Sequence, residues 1–187
     1  MRDPEGKVPG LPGFAIKHRR STKHCGGIAI ATIRSSKVAK EDAVIAAFYK
    51  IEFPMGLSFD PDPAQRKLRD ASMKRFNDFI DNVRKSRSEA VEHYMQAVNK
   101  TDPTGSVIAA ARIAQINLRL ASVLARAEIP GDVRTGDFAD EKIGAYCERM
   151  SSLAETVQTD AEAALGVCAE RSKDVGAGWW TELCVEP

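Results

Sequence analysis

The stretch from Gly105 to Ile129, GSVIAAARIAQINLRLASVLARAEI, constrains the rest of the chain. Its apolar residues recur at Ala109, Ile113, Ile116, Leu120, Val123 (with Leu124) and Ala127. Those steps of three and four place them on one face of an α-helix. Arg112, Gln115, Arg119, Ser122 and Arg126 occupy a second face, and the third is almost all alanine, which lets another helix approach closely. A helix apolar around much of its circumference is normally buried between partners. Asp102-Pro103-Thr104 supplies a capping residue and a proline that cannot continue a preceding helix, and Pro130-Gly131 marks the far end.

Two other long patterns can supply those partners. Over Ala64–Lys100, Leu68, Met73, Phe76, Ile80, Val83, Val91, Tyr94 and Val98 keep helical register, with Arg87 breaking the stripe where Ala or Leu is expected. Pro61, Asp62 and Pro63 start this helix, and the short turn at 101–104 makes it antiparallel to the next, an αα-hairpin. From about Asp140 to Lys173 the register resumes through Ile143, Cys147, Met150, Leu153, Val157, Ala161, Ala164 and Cys168, and Gly176-Ala177-Gly178 ends it. Val38–Phe53 reads as a shorter helix stopped by Pro54. GIAIATIR at 27–34 alternates like a strand but has no partner strand downstream, so a helical turn is the better fit. Trp179–Cys184 reads as a last helical turn.

The expected fold class is all-α: stacked antiparallel helical hairpins, a tetratricopeptide-like or α-solenoid fragment with long helices. Residues 1–27, rich in Pro, Gly and charge, form an irregular basic arm, and 28–187 form the helical domain. Abundant alanine and an aromatic content of only 6% agree with helices rather than a β-sandwich.

Charge and motifs exclude more than they assign. With 27 basic and 26 acidic residues the net charge is +1, which gives no global attraction to nucleic acid. No apolar run is read as a membrane span of roughly 20 residues, and Arg2, Asp3, Glu5 and Lys7 break any signal-peptide core. Phosphate-binding loops, nucleophile elbows and Cys-x-x-Cys pairs are absent. His93 shares a helix with Glu89 and Glu92, but a metal needs further converging ligands, so a solvated face explains it; no metal or cofactor is expected. Glu41-Asp42 and Asp140-Glu141 sit at helix starts, where they complement the dipole. Nothing points to an enzyme. Two features suit partner binding. Arg112, Arg119 and Arg126 are heptad-spaced and either form an anion-binding strip, pair with acids such as Glu141 or Glu148, or stay solvated. Adjacent Trp179 and Trp180 cannot both face one core, so one plugs the stack and the other is free for a partner.

The segments Phe48-Tyr49-Lys50-Ile51-Glu52-Phe53, Tyr94-Met95-Gln96-Ala97-Val98 before Asp102, Ala109 through Gln115 on to Ile129-Pro130, and Cys168-Ala169-Glu170-Arg171-Ser172 followed by Trp179–Cys184 resemble a large myxobacterial family of tetratricopeptide-like envelope proteins. Some of these belong to gliding-motility machineries. The resemblance spans residues 40–187 and implies a non-enzymatic scaffold in the periplasm or at the outer membrane, binding other protein subunits; without it, a cytoplasmic protein is the alternative. It also implies an oxidising compartment. There, the reversal at 176–178 would return Cys184 level with Cys168, and a Cys168–Cys184 disulfide is expected. Cys147 and Cys168 cannot bridge each other, being about 31 Å apart along one helix. The state of Cys25 and Cys147 stays open. A second functional reading is a nucleic-acid or polyanion binder using Lys17–His24 with the Arg112/Arg119/Arg126 strip.

Overall fold

The computed structural model describes residues 23–25, 43–98, 102–176 and 184. Among these it is all-helical: α1 (Ala43–Tyr49), α2 (Arg66–Val98), α3 (Pro103–Ala125) and α4 (Ala139–Ser172), with a 3-10 turn at Pro63–Gln65 leading into α2. The segments 1–22, 26–42 and 177–183, including GIAIATIR, Trp179 and Trp180, lie outside the described residues.

Helix α3 is the centre. Asp102 caps it, its carboxylate accepting from the Thr104 amide at 3.1 Å and its carbonyl from Ser106 N at 3.1 Å. Gly105 leaves room for this cap, because a Cβ there would lie 2.6 Å from Asp102 Oδ2 and the carboxylate would have to shift. The helix ends at Ala125, four residues before the expected Ile129. The physical reason is a competing partner for the backbone. Cys25 N donates to Ala127 O at 3.2 Å and Ile129 N donates to Lys23 O at 2.8 Å, so 127–129 is drawn into an isolated antiparallel bridge, His24 opposite Glu128.

Helices α2 and α4 pack antiparallel to α3 and parallel to each other. Ser106 Oγ donates to Val98 O at 3.0 Å at the α2–α3 turn, and Arg87 on α2 meets Asn117 on α3. On the other side Val107 packs on Cys168, Leu124 and Ala125 lie with Ala154, and Ile129 lies with Met150. The alanines of α3 (Ala109, Ala110, Ala111, Ala114, Ala121 and Ala125) are all buried, as close helix approach requires. By length and composition α3 alone among the described helices could cross a membrane; here it is mostly buried by its neighbours, as the core helix of a bundle is.

Helix α1 also ends early, at Tyr49 rather than Phe53, and Pro54 is not what stops it. Arg119 of α3 donates to the carbonyls of Phe48, Tyr49 and Ile51, at 3.5, 3.1 and 2.8 Å, and so caps its last turn. The following segment 51–62 crosses the start of α2. Arg69 holds Asp60 O and Pro61 O, Arg75 holds Met55 O, and Ser58 N donates to the buried Ser72 hydroxyl.

Candidate functional site

The heptad-spaced arginines do not assemble into a surface strip. Arg112 is 1% exposed and donates to Gln115 Oε1 at 2.6 Å. Arg119 is committed to the α1 carbonyls, and burial followed by the Arg126 charge lowers its pKa. Arg126 alone is exposed, and it turns back onto Ser122 of its own helix. One helix face carries all three, but α1 covers that face at Arg119, so a spacing that looks like a strip becomes three different environments. None of them makes an ion pair with Glu141 or Glu148 among the described residues. Tyr49 sits by the same arginines; burial raises its pKa, opposed by the charges of Arg112 and Arg119.

Of the basic run Lys17–His24, only Lys23 and His24 are described, and both are exposed. His93 lies edge-on to Tyr94, ring centroids 5.1 Å apart, and no cluster of metal-ligating side chains occurs among the described residues.

Three features carry the architecture, and of these only the Cys168–Cys184 disulfide was expected from the sequence. First, Arg87, the interruption in the α2 stripe, is a bridge. Its Nε donates to the buried Asn117 Oδ1 at 2.6 Å and its guanidinium pairs with Asp160 of α4, so one side chain joins all three long helices. A charged residue breaking an apolar stripe opposite an Asn one helix away was the available signal.

Second, two disulfides fasten the bundle. Cys168 and Cys184 are joined with Cα atoms 5.4 Å apart, packed among Val107, Ala110 and Ala111. Cys25 and Cys147 form a second bond, Cα atoms 5.3 Å apart, beside Ala127, Ile129, Val133 and Met150. An even cysteine count was the only hint, because the partners are 122 residues apart. Disulfides of this kind are compatible with an oxidising, non-cytoplasmic location.

Third, the loop between α3 and α4 is built into that same end. Glu128 accepts from Gly56 N at 2.8 Å, Asp132 from Phe59 N at 2.8 Å, and Lys142 donates to Asp132 O and Thr135 O. Tyr146 donates to Glu128 O at 2.9 Å; burial, then the Glu128 charge, pushes its pKa up to about 12. Phe53, Phe59, Phe76, Phe79 and Tyr146 pack edge-to-face or tilted around this point. The loop closes on Phe138, which precedes α4 with φ 57° in the left-handed region and is 74% exposed. Large apolar side chains are exposed elsewhere too: Met55, Leu68, Met73, Met95 and Val167.

Comparison of the chain with family models, with curated proteins and with solved structures gives no significant match.

Proposed function

We propose that this chain is a non-enzymatic protein–protein interaction scaffold, a structural subunit of a bacterial cell-envelope assembly facing an oxidising compartment. In this reading the bundle is one stretch of tetratricopeptide-like stacked hairpins, and its partners are other protein subunits. The observation that carries the reading is a firmly fastened helical frame that leaves Leu68 and Met73 on α2, and Phe138 before α4, exposed to solvent. A rigid frame with exposed apolar anchors suits docking, because little ordering entropy remains to be lost when a partner binds. The two disulfides support the periplasmic or outer-membrane placement that the family resemblance implies.

Site-specific photocrosslinking in the native host tests it. A photoreactive residue at Met73 or at Phe138 should give a discrete crosslinked protein product, whereas one at the exposed polar Glu155 should not. Absence of product at both apolar positions, or an equal smear at all three, sinks the scaffold reading.

A further inference from the structure

We propose that the Cys25–Cys147 disulfide is a redox-sensitive strap, opened by dithiol reductants through attack on Cys147 while the Cys168–Cys184 bond stays closed and the helices stay folded. The two bonds differ in access. Cys168 is 0% and Cys184 7% exposed, so both residues of that bond are buried from an attacking thiolate. Cys25 is likewise buried at 5%, but Cys147 is partly exposed on α4. Thiol–disulfide exchange requires approach to one sulfur, and Cys147 is the most exposed of the four cysteines.

The step balances. A thiolate of the dithiol attacks Cys147 Sγ, the disulfide breaks, and its electron pair leaves on Cys25, whose thiolate takes a proton from water. The second thiol of the reductant then displaces Cys147 from the mixed disulfide. The protein gains two electrons and two protons, and the dithiol becomes a disulfide.

The opening is local because of what the bond holds. Residues 23–25 meet the bundle through two backbone hydrogen bonds, to Ala127 O and from Ile129 N, and through Cys25, which packs among Ala127, Ile129, Val133 and Met150. The packing of α3 on α4 through Val107, Ala110, Ala121 and Ala154 involves none of them. A three-residue segment held by so few contacts, once the covalent tie is gone, opens at the low end of local stabilities. Reduction therefore frees Lys23–Cys25.

The experiment uses the full oxidised chain with graded dithiothreitol under native conditions. Free thiols are alkylated and mapped by peptide mass, and far-UV circular dichroism is followed in parallel. Cys25 and Cys147 should label roughly tenfold or more faster than Cys168 and Cys184. The helical signal should hold, and amide exchange should quicken at Cys25 and Ile129. Labelling of Cys168 and Cys184 first, or at the same rate, overturns the proposal. So does a helical signal that falls in step with labelling of Cys25 and Cys147. A Cys168→Ala/Cys184→Ala variant provides a second reading: its remaining bond should reduce at the wild-type rate, and protection of that bond in this variant also overturns the proposal.

Discussion

At one end of α4 the bundle is tied to Cys25, 122 residues away in sequence; at the other it is tied to Cys184, only 16 residues on. The near end is built from distant pieces: the 23–25 segment, the 51–62 crossing, the α3–α4 loop and an aromatic cluster. At the far end Cys168 and Cys184 lie against Val107, Ala110 and Ala111 of α3. Where helices pack by small side chains, a short staple suffices. Where loops with unpaired backbone groups must be gathered, the chain uses many side-chain-to-backbone hydrogen bonds and a long-range covalent tie.

That contrast ranks the two bonds. Replacing Cys25 and Cys147 with alanine should cost about 5 kcal/mol of unfolding free energy by loop-closure entropy, against about 3 kcal/mol for Cys168 and Cys184. Denaturant melts of the two double variants measure it. Equal losses, or the reverse order, would break the comparison and show that the long loop is already compact in the unfolded chain.

Arg87 lies between the ends. Arg87→Ala leaves Asn117 buried and Asp160 without its partner, and a loss of about 2 kcal/mol is expected. If the two ends are independent, this loss should add to that of either disulfide variant to within about 0.5 kcal/mol. A larger deviation would mean that the bridge couples them.

Tyr146→Phe removes a partly buried hydrogen bond of the near end alone, at about 1 kcal/mol near neutral pH. It also has a pH signature. The folded-state pKa is raised to about 12 from the ordinary tyrosine value of 10.0, so the proton is held more tightly in the folded chain. The contribution of this phenol is fully present below pH about 10 and is lost as pH rises towards about 12. Alkaline titration of stability should be steeper in wild type than in Tyr146→Phe across that window. Identical slopes would remove Tyr146 from the account.

The smallest effects come from a matched pair. Phe138 and Gly176 both hold positive φ, at 57° and 72°, on either side of α4. Gly176→Ala should destabilise by about 1 kcal/mol, since the position favours glycine. Phe138→Gly should be neutral or stabilising by up to about 1 kcal/mol, because it relieves a left-handed side chain. Destabilisation by Phe138→Gly in thermal melts would show that the ring packs in solution.

The same contrast explains what was legible. The bodies of α2, α3 and α4 followed from local spacing, and so did the Asp102-Pro103 turn, because their causes lie within a few residues. The ends of α1 and α3 were misplaced because distant groups decide them: Arg119 for one, Lys23 and Cys25 for the other. The partner of Cys147 was hidden for the same reason. The surface role given to Arg112 failed because a seven-residue period gives a shared face but not what covers it. The hairpin end at Val98–Ser106 was readable; the aromatic end around Tyr146 was not.

Helix α4 has a consequence for how the protein is made. Four thiols permit three pairings. Once α4 is helical it is a rigid spacer that holds Cys147 and Cys168 about 31 Å apart. The pairing that joins those two is then closed off. The crossed alternative fails as well, since Cys25 is seated against Ala127 at the Cys147 end and Cys184 against Ala110 and Ala111 at the Cys168 end. If helix packing precedes oxidation, the bundle sorts its own thiols, and a shuffling isomerase has nothing to correct.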